Sequence, residues 1–271
     1  MKRLALNFGV MKKARLFGLA VLAVLVGANN DVWAGDYSTA NSGPWHDPST
    51  WVGGTIPSGI ISNNDNITVK TGHTLTINTE NLALSRIILE DNAHLIVNAD
   101  LQLTGNGGKS YPITAGEGAT VTIALDVTLT DQKGIQNNGN ITIMGEGTFT
   151  HEKNDSEING QSYTLTTNLS NFNTGTKNFT FKYLYLNVEG GIFTNNMSNN
   201  TLLGLTISGG TFVANQSITV SENLTLSGGT LQVASGKTLT ATANPVNVSE
   251  DATISGPASG TAATLVANEI N

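Results

Sequence analysis

The chain has 271 residues, of which 39% are hydrophobic, 12% charged and 6% aromatic, with 30 glycines and no cysteine. It is too apolar for a disordered chain and too poor in charge for an ordinary helical domain. Disulfide staples and thiolate metal sites are excluded, so burial must supply the stability. The formal net charge is −7, and without residues 1–34 the chain carries 8 basic against 19 acidic groups, which argues against nucleic acid or an anionic membrane as partner.

Residues 1–34 read as a secretory signal peptide. Lys12, Lys13 and Arg15 form a positive n-region, Leu16 to Ala28 is a 13-residue apolar run, and Val32 and Ala34 precede a cut before Gly35. The run is shorter than the ~18–20 residues needed to cross a bilayer. Met11 onward is a complete signal by itself. The expectation is bacterial-type export, no membrane insertion after signal removal, and a secreted or cell-surface protein.

Residues 35–66 read as an N-terminal cap segment. Gly43-Pro-Trp-His-Asp-Pro-Ser-Thr-Trp-Val-Gly-Gly-Thr-Ile-Pro57 holds two of the three tryptophans and three of the six prolines. Trp45, Asp47, Pro48, Trp51, Gly53 and Gly54, with Asp65 just before a strand, resemble the opening of G8-type domains and of large bacterial adhesin-like β-helix proteins. The resemblance covers roughly residues 41–100; the link from Pro57 to Asp65 is longer and more polar than in those openings. It implies an extracellular, β-rich chain whose opening covers the first coil of a solenoid. An exposed solenoid end leaves core and backbone unpaired, and two tryptophans bring much apolar area for few residues, so the motif reads as a cap rather than a ligand site.

Residues 67–271 read as the solenoid itself. The clearest copies are Leu186-Asn-Val-Glu-Gly-Gly-Ile-Phe193, Leu205-Thr-Ile-Ser-Gly-Gly-Thr-Phe212 and Leu224-Thr-Leu-Ser-Gly-Gly-Thr-Leu231, starting 19 residues apart. Alternation by two marks strands, Gly-Gly marks turns, and a fixed period near 20 marks one unit stacked on itself. Looser copies start at Ile67, Ile87, Val121, Ile141 and Val246, with Val121 and Ile141 aligned 20 residues apart. The predicted fold is all-β: a single-stranded right-handed parallel β-helix with coils of about 19–22 residues. An antiparallel sandwich is the rival, but it does not require a position-by-position match at constant offset. In the β-helix, Leu186, Leu205 and Leu224 form one inward column. Val188, Ile207 and Leu226 form a second, and Phe193, Phe212 and Leu231 a third. Asn187, Thr206 and Thr225 face solvent. His151 to Lys177 reads as a coil with a protruding loop or an irregular rung, the kind of surface insertion that often carries whatever binding there is. No cap or sorting motif is evident at Glu269-Ile-Asn271, so the chain is expected to be the start of a longer protein.

Catalytic chemistry is harder to find. A polysaccharide lyase needs converging cations, whereas after the signal there are one arginine, Arg86, and seven scattered lysines. Asp126 with Asp131, or Asp155 with Glu157, are candidate carboxylate pairs for glycoside hydrolysis, without flanking aromatic pairs to stack a sugar. His73 and His94 fall at similar points of consecutive copies and could form a two-His site, but stacked turn histidines are the plainer reading. Thr-x-Thr pairs at 74/76, 120/122, 128/130, 148/150 and 238/240 raise ice binding, yet their spacing is too irregular for one array. The expectation is a non-catalytic adhesin-like scaffold without cofactor or metal, with a glycan or surface protein as partner. The alternative is a carbohydrate-binding or polysaccharide-degrading β-helix protein.

Overall fold

The computed structural model describes residues 36–57, 66–80, 82–105, 111–153, 156–175, 179–197, 200–242, 245–257 and 260–271. The signal-peptide reading and Asp65 fall outside them. Where Thr, Ile and Val alternate with larger apolar residues, the backbone is extended. Asn66–Val69, Thr74–Ile77, Arg86–Leu89 and His94–Val97 each bury every second residue. Three such strands, joined by turns, make a coil, and the coils stack into a right-handed parallel β-solenoid of about eight turns, with 59% of residues in strands. Every strand pairing is parallel among the described residues.

The first face is a seven-stranded sheet running Asp36–Ser38, Asn66–Val69, Arg86–Leu89, Ile113–Ala115, Gly134–Asn137, Ser156–Asn159 and Phe179–Lys182. The second face includes Thr74–Ile77, His94–Val97 and Ala119–Ile123; the third begins with Leu82–Leu84, Leu101–Leu103 and Thr128–Asp131. Longer strands turn the corner between these two faces, as Ile141–His151, Thr164–Asn173 and Tyr185–Asn195 do.

The register places the inward columns residue by residue. Leu186 pairs with Leu205 and Leu205 with Leu224; Val188, Ile207 and Leu226 follow suit. Phe193 pairs with Phe212, and Phe212 with Leu231. All nine side chains are at most 1% exposed. The aromatic column is longer than its Gly-Gly copies: Phe149, Phe172, Phe193 and Phe212 stack with ring centroids 4.5, 4.6 and 5.6 Å apart.

Coil length varies more than the 19–22 residues expected. Leu95 pairs with Val121, 26 residues on, because a long corner is inserted between them. Val121 pairs with Ile143, not Ile141, an offset of 22, while Leu129 pairs with Phe149 at an offset of 20. From Ile123 to Thr128 the chain takes five steps where its partner takes three from Gly145 to Thr148, which accounts for the difference. The alternating faces survive because each strand pairs in register, whatever number of residues the corners take. Gly-Gly turns are needed for close approach as well as for positive φ. A Cβ on Gly191, at φ 63°, would lie 1.8 Å from the Leu169 carbonyl oxygen.

Candidate functional site

The opening motif is built into the solenoid. Asp36–Ser38 pairs with residues 66–68, and Gly43–Pro44 with Leu75 and Thr76, so the segment is itself hydrogen-bonded as a rung. Trp45 and Trp51 are 1% and 2% exposed, edge to face at 5.1 Å. The Trp51 indole N–H donates to the Trp45 carbonyl at 2.8 Å. Pro48 starts a short 3₁₀ turn capped by Asp47. The Asp47 carboxylate is held below its usual range by hydrogen bonds from the Ser49 hydroxyl and backbone N–H. Gly53 and Gly54, at φ 74° and 68°, turn the chain after Trp51.

The first candidate carboxylate pair, Asp126 with Asp131, is not brought together. Asp126 is exposed on a turn at φ 61° and lines a shallow groove with Glu80 and Asp100. Asp131 instead points into the solenoid, where its Oδ2 meets His151 Nδ1 at 2.9 Å with both side chains fully buried. Asp155 lies outside the described residues, and Glu157 accepts a hydrogen bond from the Tyr111 hydroxyl.

His73 and His94 are neighbours on consecutive coils, the His94 N–H donating to the His73 carbonyl at 2.8 Å, but their rings bond elsewhere. His94 pairs in register with Thr74, its Nε2 meets Thr122 Oγ1, and burial pushes its ring below the usual range. His73 Nδ1 instead meets Thr39 Oγ1, and His46 Nε2 meets Thr79 Oγ1. No group of three or more His, Asp or Glu among the described residues is placed to hold a metal ion.

The His151–Lys177 stretch, read as a coil with a protruding loop or an irregular rung, contains two solenoid strands, Ser156–Asn159 and Thr164–Asn173. The second pairs with Ile141–Thr150 on one side and Tyr185–Thr194 on the other, with register shifts on both. In a strand whose outward face is wet, Asn and Ser cost little.

The threonine pairs sort onto separate faces. Thr128 and Thr130 are in register with Thr148 and Thr150 on the third face. Thr74 and Thr76 are separated from Thr120 and Thr122 on the second face by His94 and Ile96. Over seven coils the outward columns of the third face carry no charge. One is Thr128, Thr148, Asn171, Ile192, Thr211, Thr230 and Thr253; beside it run Thr130, Thr150, Asn173, Thr194, Val213, Gln232 and Ser255.

One aromatic corner escaped the sequence reading. Tyr163 and Tyr183 lie on neighbouring coils where the first face turns into the second, 39% and 58% exposed. Their 20-residue separation, one less than the 21-residue offset between Thr164 and Tyr185, is the signal in the sequence that could have found them.

What fold and sites define is a parallel β-solenoid with a tryptophan-closed first rung and one uncharged face. No family model, curated protein or solved structure matches the chain.

Proposed function

We propose that the chain is an exported, non-catalytic β-solenoid that serves as an adhesin-like scaffold outside the cell or on its surface. The observation that carries this is the third face, whose outward columns are uncharged over seven coils and paired from coil to coil. Such a rod presents a long, repetitive surface, and its rigidity comes from the ladder itself. The buried Trp45–Trp51 pair, within the motif that resembles G8-type openings, supports the same reading, since extracellular solenoids of that kind close their first coil with this segment. The signal-like residues 1–34 supply the route out.

Expression in a bacterial host with cell fractionation tests the export half. The mature chain is expected outside the cytoplasm with Gly35 as its first residue by mass spectrometry. A product retaining Leu16–Ala28 sinks the export reading. Incubation with pectate, alginate, chitin and β-glucans, with and without calcium, tests the other half. Reducing ends or unsaturated uronates that vanish on replacing Asp126 or Glu157 would establish an enzyme instead.

A further inference from the structure

We propose that the corner bearing Tyr163 and Tyr183 binds neutral pyranose units of a polysaccharide; this rests on the exported-scaffold reading above. The first observation is two exposed aromatic rings on neighbouring coils. The Ser162 N–H donates to the Tyr183 carbonyl at 2.8 Å and the Tyr185 N–H to the Tyr163 carbonyl at 3.3 Å, which ties the two coils together at this point. Exposed tyrosines on a fixed frame offer flat, electron-rich faces to the C–H face of a sugar ring.

The second observation is backbone strain. This corner turns with a hydrogen bond across residues 70–73, 90–93, 116–119 and 160–163 in successive examples. The third residue has positive φ each time: Gly72, Asn92, Gly118 and Ser162. Gly and Asn tolerate that conformation, whereas Ser does so at a cost. Gln161 at φ 47° and Tyr183 at φ 51° add two more residues poorly suited to it. Three of the five non-glycine positive-φ residues described thus sit in one corner. At the third position the other turns use Gly or Asn, so the fold does not require Ser162 there, and strain kept at an exposed aromatic site points to a ligand.

The third observation is the polar surround. Gln161 Nε2 donates to Asn138 Oδ1 at 3.1 Å, and both residues are exposed beside Ser162. Amide and hydroxyl groups of this kind suit sugar hydroxyls. Lys182 Nζ stands 5.9 Å from the Tyr183 ring centroid and adds a donor. Among 8 basic and 19 acidic groups after residue 34, one lysine does not offset the repulsion of a polyanion, so the class is a neutral glycan. The corner is also preorganised. Gly160 N–H donates to the Lys182 carbonyl at 2.8 Å, and a Cβ on Gly160 would come within 2.5 Å of the Tyr183 carbonyl oxygen. Little backbone freedom is left to lose on binding.

Native gel electrophoresis of the exported chain through gels containing mixed-linkage β-glucan, xyloglucan, glucomannan or alginate tests this. Retardation is expected in at least one neutral polymer. Tyr163→Ala and Tyr183→Asn should each weaken it by about tenfold or more. Asn tolerates the positive φ, so Tyr183→Asn is expected to melt no lower than the parent, which separates lost binding from lost fold. No retardation in any neutral polymer overturns the proposal. So does retardation that survives in the double variant, or retardation by alginate alone that disappears with Lys182→Met. The export and turnover assays do not involve these tyrosines, so a failure here leaves the scaffold reading standing, and a failure there is read separately.

Discussion

Tyr111 shows how a single residue can be set by its neighbours. Its phenol is pushed up to about 12, first by burial and then by its hydrogen bond to Glu157. The folded state therefore favours the protonated phenol. Its contribution to stability is complete below the ordinary tyrosine value near 10 and is lost as pH rises from there through about 12. Denaturant melts at pH 9 and pH 11.5 should show a smaller loss of stability in Tyr111→Phe than in the parent; equal losses would place the alkaline sensitivity elsewhere. Gly145 is the second residue-scale case. It has φ 117°, and an added Cβ would lie 2.1 Å from the Ile123 carbonyl oxygen. Gly145→Ala is expected to lower stability by about 1–3 kcal/mol from the dihedral alone, with further loss from the clash, measured by urea denaturation.

At the scale of the element, the strand is a wall with one dry and one wet side. Phe193 lies between Phe172 at 4.6 Å and Phe212 at 5.6 Å and is fully buried. Its truncation removes ring contacts on two coils, and Phe193→Ala is expected to cost about 3–5 kcal/mol. Ile207 is fully buried and its neighbour Thr206 is partly exposed. Ile207→Asp leaves a carboxylate without water and should cost at least about 4 kcal/mol, whereas Thr206→Asp should fall within about 0.5 kcal/mol of the parent. Similar thermal midpoints for the two variants would reverse the assigned faces. Turns add a second kind of bond between coils. Asp91 accepts from the Glu117 N–H, Glu117 from the Asn140 N–H, and Asn140 from the Thr164 N–H. Each side chain closes a backbone group of the next coil that the strand ladder leaves open. The Lys70–Glu90 bridge at 2.7 Å is half exposed, so its share is small.

Across the whole molecule, stability is a sum over neighbouring coils, so the ends and the middle should differ. The first rung is closed by Trp45 and Trp51. In the last coil Ile254, Val266 and Ile270 are 44%, 45% and 57% exposed. Thr264–Ala267 pairs with Thr238–Ala241 on one side only among the described residues. Hydrogen exchange should therefore find amides of 264–271 exchanging first and those of 164–173 and 185–195 among the last. Uniform protection along the axis would mean one cooperative unit instead of a graded stack.

The sequence alone determined the repeat, the alternation and the parallel stacking, because inward Leu, Ile and Phe at a constant 19-residue offset leave no other way to bury all three columns. It also marked Trp45 and Trp51 as an apolar pair. It misjudged what depends on register across corners. Ile141 was matched to Val121, whereas the corners between these strands take two residues more than that spacing and set Val121 against Ile143. It offered Asp126 and Asp131 as a candidate pair, but Asp126 stands on an exposed turn while Asp131, at an inward position of its strand, faces His151 inside. It saw no aromatic pair. Tyr163 and Tyr183 become neighbours only because one coil returns the chain to the same corner, and the positive φ of Gln161, Ser162 and Tyr183 is a property of that closure. Columns along one strand follow from local alternation, whereas neighbours between coils depend on how many residues each corner takes, and only the tertiary structure decided that.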